Sequence, residues 1–529
     1  KRQEYASVDI SEQTLRDVHL PPFKAAFDAG AITVMSAFND INGVPASANR
    51  WLMTDLLRGA WQFPGLVVSD YTADMELIAH GYAADERDAT RRAFTAGLDV
   101  SMQSGFYQRH LGALVESGEV SMAQLDEGVR RVLWVKEQIG LFDNPYRSLD
   151  AAREADTTHL AEHEALARDA ARRSIVLLKN DDALLPLRKQ GQKIALIGPF
   201  VRDRDNIEGC WTLFGDKSRY VTLEAGVRAA LGEQAQLIVE DGCALEAAID
   251  GGIEAAVAAA QASDVVVLAI GEPQRYSGEA QSRTQIVVPA AQQALAEALA
   301  ATGKPLVVLL RNGRALALQG AVRDAQAIAV TWFLGSQTGH GVADVLFGDY
   351  NPSACLPVSF PQDSGQQPLF YNHPRTGRPE LPDVHEYKSR WREFTADALY
   401  PFGHGLSYTS FAYGTPQLST AQLGWDETLV ITATVTNIGA VAGETVVQLY
   451  VHDRVASRVR PVRELKGFNK IALLAGESAQ VQFQLDRQLL AFTGTDLVFG
   501  AEPGLFDLWV TDSSANGSAV QFELLPPKG

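Results

Sequence analysis

The chain has 529 residues, more than one hydrophobic core usually supports, so two to four domains are expected. Apolar residues make up 46% of it and charged residues 21%, which is ordinary for a soluble globular protein. With 46 basic and 64 acidic residues the net charge is −18. This charge argues against nucleic acid or an anionic membrane surface as a partner and favours a neutral or small substrate. No apolar run reaches the roughly 18 residues that a membrane span needs.

The first part of the chain alternates helix-like and strand-like segments. AITVMSAFN at 31–39, GLVVSD at 65–70 and LDVSM at 98–102 have strand character, and a helical pattern precedes each of them. This alternation predicts a parallel sheet with helical crossovers. Ser121 and Gln124 form the pattern of a capping box at the start of a further helix. A parallel sheet of so few strands would have open edges, so the missing strands are expected from a larger domain or another polypeptide.

A second α/β region is expected beyond a polar stretch at about residues 143–160. Its candidate strands are separated by alanine-rich helical segments, which predicts an open, mostly parallel sheet covered on both faces. These candidate strands are SIVLLKN, IALIGP, AQLIVE, DVVVLAIGE, PLVVLLRNG and AIAVTWFLG. From about residue 415 the apolar residues alternate with polar ones, as in ITATVT and AQVQFQLD. Short alternating strands of this kind predict a β-sandwich of the fibronectin III type.

Cysteines and short cofactor motifs narrow the possible chemistry. Cys210, Cys243 and Cys355 are too few for a disulfide framework, and a bridge between the first two is left open. The sequence has no metal-ligand spacing, no G-x-G-x-x-G, no P-loop and no G-x-S-x-G. A dinucleotide site, a phosphate-binding NTPase and an α/β-hydrolase are therefore disfavoured.

Asp70 is the first candidate catalytic residue. It directly follows the apolar run Leu66, Val67 and Val68 and precedes Tyr71. A polar residue at the carboxyl end of a parallel strand faces the edge where barrel enzymes assemble their active sites. A turn or helix-capping aspartate would give the same pattern. The aromatic neighbour fits either core packing or a surface on which a sugar-like ring stacks.

The second candidate is the loop GEPQRYSGEAQSRT at 271–284, which follows the strand DVVVLAI. Open α/β folds bind their ligands at the carboxyl ends of such strands. Its charged residues include Glu272, close to the strand and interpreted as structural, and Glu279, further along. A solvated loop with a surface ion pair would have a similar composition. A loop glutamate and Asp70 would together supply the carboxyl pair that glycoside hydrolysis needs.

Several long motifs run through the chain, among them VMSAFNDINGVPASANRWLMTDLLRGAWQFPGLVVSDY, ARDAARRSIVLLKNDDALLPL, VLFGDYNPSACLPVSFP and ALYPFGHGLSYTSF. On these motifs the chain resembles glycoside hydrolase family 3, in the bacterial β-glucosidase branch with a C-terminal fibronectin III-like domain. The resemblance extends over nearly all of the chain. It begins past the motifs with which the first half of the family's barrel grips the sugar.

The resemblance implies a multidomain α/β fold with five segments. Residues 1–142 would be the C-terminal portion of a (β/α)8 catalytic barrel, and 143–165 a linker. Residues 166–375 would be an α/β sandwich domain that carries the acid/base. Residues 376–414 would be a connecting segment, and 415–529 the fibronectin III-like domain.

The resemblance also implies roles for individual residues. Asp70 matches the family's nucleophile, and Glu279 matches the general acid/base, with one small departure in the surrounding motif. Met35 and Phe38 occupy the positions that line the subsite for the terminal sugar. Tyr71 matches the aromatic residue on the leaving-group side. No metal ion and no organic cofactor are implied.

The implied activity is that of a retaining exo-β-glucosidase acting through a covalent glycosyl-enzyme. A β-xylosidase, a β-N-acetylglucosaminidase and a non-catalytic carbohydrate-binding protein are the alternatives. The implied partners are a small carbohydrate and the N-terminal half of the barrel as a separate fragment or chain, without nucleic acid or membrane. The family also allows a homodimer, and it implies a periplasmic or secreted location.

Overall fold

The computed structural model describes residues 4–158, 160–232, 236–379 and 387–528. The chain divides into two compact units, of which the first comprises residues 1–158 and 492–499. The second comprises residues 159–491 and 500–529. Among the described residues, no helix is long and apolar enough to cross a membrane.

The first unit contains a small parallel sheet and a hairpin. Its strands are β1 (Thr33–Ser36), β2 (Asp40–Ile41), β3 (Val44–Pro45) and β4 (Leu66–Ser69). Strands β1 and β4 pair in parallel, whereas β2 and β3 form the antiparallel hairpin.

The strand predicted at 98–102 is reduced to a single parallel bridge between Val100 and Val68. The strand is this short because a side chain takes one of its backbone partners: the Asp99 carboxylate accepts the Val67 N–H at 2.9 Å. A carboxylate thus takes a donor that a continuing strand would have used for its backbone ladder. Within the described residues, the third strand of the sheet is therefore represented only by this bridge.

The helix predicted to begin after Ser121 is present in the first unit, as Met122–Gln138. The capping box is present, since Ser121 Oγ accepts the Gln124 N–H at 3.2 Å and Gln124 Oε1 accepts the Ser121 N–H at 3.0 Å. One helix lies inside the stretch predicted as a linker, where Asp150 caps it by accepting two backbone N–H groups. The helices are Glu12–Thr14, Leu15–His19, Pro21–Asp28, Trp51–Ala60, Glu76–Ala79, Glu86–Ala96, Phe106–Glu116, Met122–Gln138 and Ala151–Thr157.

The second unit contains the predicted open sheet, which has six strands. They are β5 (Val176–Asn180), β6 (Ile194–Ile197), β7 (Leu237–Glu240), β8 (Val265–Gly271), β9 (Leu306–Arg311) and β10 (Ala327–Val330). Their order across the sheet is β5-β10-β9-β8-β6-β7. All neighbours are parallel except β5, which runs antiparallel to β10. The mostly parallel α/β architecture is confirmed.

The sheet is covered on both faces. Along β8, Val266, Leu268 and Ile270 belong to one hydrophobic core, and Val265 and Val267 belong to the other. A strand buried on both faces needs apolar residues at every position, which explains the unbroken run VVVLAI. The helices beside these strands are Ala161–Ser174, Leu223–Leu231, Gly252–Gln261, Ala290–Ala300, Gly320–Asp324 and Thr338–Leu346.

The last predicted strand, AIAVTWFLG, is shorter than its apolar pattern indicates. Strand β10 ends at Val330, and Trp332 has a φ of 48°, in the left-handed region. An extended strand cannot continue through that conformation.

The C-terminal part of the second unit is the predicted fibronectin III-like sandwich. One sheet has the order β11-β14-β12 with β17 beside β14, and the other has the order β13-β21-β20-β15-β16. The alternation in β14 is confirmed, since its odd-numbered residues are buried in the core between the sheets. The strands of the sandwich are β11 (Phe411–Tyr413), β12 (Gln417–Leu418), β13 (Gln422–Leu423), β14 (Leu429–Asn437), β15 (Gly443–Asp453), β16 (Glu464–Leu473), β17 (Ser478–Leu485), β20 (Gly504–Thr511) and β21 (Val520–Leu524). The short strands β18 (Phe492–Thr493) and β19 (Phe499–Gly500) form a separate two-stranded sheet, and residues 492–499 belong to the first unit. Strand β11 lies within the predicted connecting segment, and a short helix, Arg487–Leu490, precedes β18.

Candidate active site

Asp70 lies immediately after the carboxyl end of β4, as the apolar run before it predicts. Its side chain is half-buried, and Oδ1 accepts the N–H of Tyr71 at 2.7 Å. The chain turns directly afterwards, since Thr72 has a φ of 62°. The Ala73 N–H donates to the Asp70 carbonyl at 3.1 Å, which closes the turn. The carboxylate is thus held at the end of a strand with one oxygen fixed by the backbone.

The turn after Asp70 is anchored by buried polar groups. Asp74 Oδ2 accepts hydrogen bonds from the Ser101 hydroxyl at 2.6 Å and the Ser104 hydroxyl at 2.8 Å. On the strand side, Ser69 Oγ accepts the Met102 N–H at 2.8 Å. These contacts fix the segment 69–74 to the residues that follow the bridge at Val100. The position of the candidate nucleophile is therefore set from both sides.

Strand β4 is braced by Asp99, whose side chain is 2% exposed. Arg58 donates to Asp99 Oδ2 at 2.7 Å and Arg131 donates to Oδ1 at 2.8 Å, so one carboxylate is shared between two guanidinium groups. Burial lowers the pKa of Arg58 below its usual range, and the nearby carboxylate of Asp99 opposes that shift. Because Asp99 also accepts the Val67 N–H, this ion cluster is tied directly to the strand that ends at Asp70.

The other predicted substrate contacts in the first unit lie near the same strand ends. Met35 stands opposite Val68 in the paired strands and is exposed, and Tyr71 is exposed as well. Phe38 follows the end of β1, is half-buried, and packs edge-on against Tyr5 at 5.2 Å between ring centres. The structure brings Met35, Phe38 and Tyr71 to the region of Asp70, and whether they contact substrate stays a prediction.

Glu76 is a charged neighbour that the sequence patterns did not single out. It begins the helix Glu76–Ala79, six residues after Asp70. Burial raises its pKa above the usual value, His80 lowers it, and the charge of Asp70 raises it further. No local motif marks such a residue, because its effect comes from proximity after folding.

The loop that follows β8 belongs to the second unit and begins at a tight approach between backbones. Gly271 has a φ of 139°, and a Cβ at this position would collide with the Arg311 carbonyl of the neighbouring strand. Gln292 accepts the Gly271 N–H at 2.7 Å, and Asn206 accepts the Gln274 N–H at 2.9 Å. The first residues of the loop are thus fixed to the sheet and to a helix beside it.

Glu272 is fully buried, with a side-chain exposure of 0%. Arg283 donates to its Oε1 at 2.6 Å and Arg314 donates to its Oε2 at 3.2 Å. Burial raises the pKa of the Glu272 carboxyl above its usual value, whereas the two guanidinium groups pull it down. A surface ion pair of the kind expected from composition is present at a different residue of the loop, Arg275, which contacts Glu246.

Glu279 is exposed and stands between two residues with positive φ. Gly278 has a φ of 99° and Ala280 a φ of 59°. An L-residue such as alanine adopts the left-handed region at a cost of about 1–2 kcal/mol, so contacts elsewhere must hold this conformation. The carboxyl group is therefore presented to solvent on a backbone that its surroundings restrain.

A cavity of about 410 Å³ lies beside this loop in the second unit. Ser277 and Gly278 line one side, and Cys210, Trp211 and Phe333 are among the residues that line the rest. Trp211 is 68% exposed although it is a large aromatic residue. Sequence reasoning did not select it, but the apolar run CWTLF between two glycines was a signal that could have found it. Exposed aromatic rings of this kind suit stacking on a sugar or an apolar ligand group.

The three cysteines are free thiols, which resolves the bridge left open between Cys210 and Cys243. Cys210 is exposed beside the cavity, whereas burial raises the pKa of Cys243 to about 11. In the part of the chain that the structure describes, no cluster of His, Cys, Asp and Glu side chains suits a metal ion.

Comparison with family models gives three matches along the chain. Residues 2–135 match the glycosyl hydrolase family 3 N-terminal domain, and residues 175–408 match the C-terminal domain of the same family. Residues 445–514 match a fibronectin type III-like domain.

Individual proteins are similar to the chain over almost its full length. A periplasmic β-glucosidase of Salmonella typhimurium is 43% identical, with 99% of this chain and 71% of that protein covered. A β-xylosidase of Formosa agariphila is 36% identical, with 96% of this chain and 71% of that protein covered. The crystal structure of a β-glucosidase from Listeria innocua in complex with glucose superimposes with a TM-score of 0.94 at 39% identity, covering 99% of this chain and 72% of that one.

Proposed function

Because the chain belongs to glycoside hydrolase family 3, we propose that it is a retaining exo-β-glucosidase that removes terminal β-glucosyl residues from short β-glucosides. The observation that supports this most is Asp70, half-buried at the carboxyl end of β4 and oriented by a backbone N–H. Barrel enzymes place their catalytic residues at such strand ends. The relatives named β-glucosidases support glucose as the terminal sugar.

The proposed reaction has two steps. Asp70 attacks the anomeric carbon while Glu279 gives its proton to the glycosidic oxygen, so the bond to the aglycone breaks and an alcohol leaves. Glu279, now a carboxylate, then takes a proton from water, and the resulting hydroxide attacks the anomeric carbon. The bond to Asp70 breaks, and the sugar leaves with its original configuration. Neither step requires a metal ion or an organic cofactor.

The substrate contacts that we propose are apolar and aromatic. Met35 lies in β1, Phe38 follows that strand, and Tyr71 follows the end of the paired strand β4, so all three stand near Asp70 in the first unit. Aromatic rings and flexible thioethers pack against the C–H faces of sugars without needing a hydrogen-bond partner. Hydroxyl recognition must then come from other groups.

We also propose that the chain works with an N-terminal half of the barrel, present as a separate fragment or chain. Support comes from the sheet of the first unit, in which β1 and β4 form a two-stranded parallel pair extended only by the bridge at Val100 among the described residues. Such a small sheet is not stable alone and presents open edges. A homodimer remains a prediction. The name of the Salmonella relative supports a periplasmic or secreted location.

A β-xylosidase is the second candidate, because a relative of that name is 36% identical to the chain. Glucose and xylose differ by one hydroxymethyl group, so the room around that group decides between them. A hydrophobic pocket discriminates a methylene by only about 1–3 kcal/mol, whereas a site that hydrogen-bonds a substrate hydroxyl rejects the analogue without it by about 10⁴–10⁵-fold. Contacts to the hydroxyl of this group therefore decide the preference between the two sugars.

Hydrolysis of nitrophenyl β-glucoside, β-xyloside and β-N-acetylglucosaminide tests the proposal. The assay uses the chain alone and the chain supplied with the N-terminal half of the barrel. We expect the glucoside to be cleaved fastest and Asp70→Ala to lower kcat by at least about 10⁴-fold. Asp28→Ala, a surface aspartate of the same unit, is the control that should keep full activity.

Each result of this assay decides one part of the proposal. Fastest cleavage of the xyloside would replace the glucosidase assignment with the xylosidase. Full activity of Asp70→Ala would remove Asp70 from the mechanism. No hydrolysis in either preparation would contradict the enzymatic function and favour a carbohydrate-binding protein.

A further inference from the structure

Arg314 joins the buried carboxylate of Glu272 to the loop that carries Glu279. Its Nε donates to Glu272 Oε2, and its Nη2 donates to the carbonyls of Tyr276 and Gln281. The two carbonyls stand on opposite sides of Glu279, three residues before it and two residues after it. A single planar guanidinium therefore fixes both arms of the loop around this residue.

Glu272 in turn fixes the orientation of that guanidinium. The Glu272 N–H donates to the Arg311 carbonyl at 2.8 Å, so its backbone is continuous with the sheet. The second oxygen of its carboxylate accepts Arg283 at 2.6 Å, and Arg283 lies at the far end of the same loop. A buried carboxylate needs such partners to remain in an apolar interior. The two ends of the loop are thus held together by the ion pair between Glu272 and Arg283.

Tyr276, within the loop, contacts both arginines that pair with Glu272. The guanidinium of Arg283 lies 4.2 Å from the centre of the Tyr276 ring, the geometry of a cation–π contact. The ring and the carbonyl of this residue are therefore held by two different arginines, Arg283 and Arg314.

The loop needs these restraints because of its own backbone. Glu279 stands between Gly278 and Ala280, both with positive φ, and alanine is disfavoured in that region. A segment in such a conformation persists only when its surroundings hold it there. A general acid must also lie within about 2.6–3.2 Å of the oxygen that it protonates, so a small change of the loop would weaken proton transfer.

We propose that Arg314, with Glu272 and Arg283, is a positioning residue that directs the Glu279 carboxyl group toward the leaving-group oxygen. The inference rests on the proposed function, since it takes Glu279 as the general acid/base. Arg314 acts through the loop and does not itself touch the reacting atoms. Replacing Arg314 should therefore slow the hydrolysis of substrates whose leaving group needs protonation and leave the hydrolysis of the others nearly unchanged.

The test measures kcat/KM for aryl β-glucosides whose leaving groups range from 2,4-dinitrophenol to phenol, in the preparation that hydrolyses nitrophenyl glucoside. This parameter reports the first step, in which the leaving group departs. We expect Arg314→Ala to lose about 10- to 100-fold on phenyl glucoside and less than about 3-fold on the dinitrophenyl compound, since general acids contribute about 10²–10⁴-fold where protonation is needed. Arg314→Lys should behave like Arg314→Ala, because a single ammonium cannot bridge two carbonyls and a carboxylate.

Two further variants separate positioning from folding. Arg228→Ala removes an exposed arginine of the same unit that pairs with Glu224 on a helix, and it should leave the dependence on leaving group unchanged. The double variant Glu272→Gln/Arg314→Gln removes the ion pair between these two residues and keeps an amide oxygen at position 272 that can accept the Arg283 guanidinium. It should reproduce the selective loss on phenyl glucoside.

The outcomes distinguish the inference from the proposed function. If Glu279→Gln loses the same factor in kcat/KM on phenyl glucoside and on dinitrophenyl glucoside, Glu279 is not the general acid and the proposed function needs revision. If Glu279→Gln shows the selective loss whereas Arg314→Ala loses the same factor on every substrate, the positioning role is overturned. A selective loss in both variants supports it.

Discussion

Asp99 in the first unit and Glu272 in the second are both buried carboxylates held between two arginines, but they brace different kinds of backbone. Asp99 accepts the Val67 N–H at 2.9 Å, inside strand β4 and three residues before Asp70. Glu272 stands where β8 gives way to a loop, and its arginine partner reaches the carbonyls of that loop. One brace supports a strand, and the other supports a segment without a backbone ladder.

This difference predicts different consequences when each brace is removed. The candidate nucleophile follows a strand that is also fixed by its ladder to β1, so losing the brace should mainly lower stability. The candidate acid stands on a loop whose shape depends on side-chain contacts, so losing its brace should mainly lower activity. A rigid element and a restrained loop can thus position two carboxyl groups by different means.

The largest expected effect on stability is that of Asp99→Ala. The substitution leaves the guanidinium groups of Arg58 and Arg131 without their shared carboxylate in a buried site. Breaking a buried ion pair by removing one partner costs about 3–5 kcal/mol in the free energy of unfolding. Urea unfolding measures this loss, and amide hydrogen exchange at Val67 should place it in the first unit.

Asp169→Ala is the matched control, because Asp169 also pairs with two arginines, Arg172 and Arg173, on a helix surface. Its side chain is 32% exposed, and exposed pairs contribute about 0–1 kcal/mol. Equal losses for the two variants would mean that Asp99 does not brace the strand in the way described. A larger loss of unfolding free energy for Asp99→Ala than for Asp169→Ala supports the role of Asp99 in bracing the strand.

A smaller effect is expected at the cavity beside the acid loop. Trp211 lines this cavity next to Gly278, and Trp211→Ala should raise KM for aryl glucosides by about 3- to 10-fold with kcat nearly unchanged, since an aromatic contact contributes about 0.5–1.5 kcal/mol. Phe214→Ala is the control, as Phe214 is 94% exposed and does not line the cavity. Steady-state kinetics of both variants check the prediction. An unchanged KM for Trp211→Ala would exclude this ring from substrate binding.

Local patterns predicted the elements that carry the site. The unbroken apolar run of β8 is a strand buried on both faces, and the run before Asp70 is a strand that ends where the pattern indicates. Glu272, interpreted from its place next to the strand as structural, is buried between two arginines. Such predictions succeed because the period of apolar residues reflects burial directly.

The braces themselves could not be predicted from one sequence. Asp99 contacts Arg58 and Arg131, which are 41 and 32 residues away in the sequence, and no local pattern links residues so far apart. The strand expected around Val100 was wrong in extent for the same reason, because the Asp99 side chain takes a backbone donor. Side-chain contacts between distant segments form only in the folded chain, and these contacts orient the candidate residues.

The most direct test of the central claim is covalent trapping of the nucleophile. In 2,4-dinitrophenyl 2-deoxy-2-fluoro-β-glucoside the fluorine slows both steps, whereas the acidic leaving group restores the first, so the glycosyl-enzyme accumulates. Mass spectrometry of the digested protein then identifies the labelled residue. We predict a 2-deoxy-2-fluoroglucosyl group on Asp70 in the peptide containing GLVVSDY. A label on another residue, or hydrolysis of the glucoside without any covalent adduct, would contradict the account.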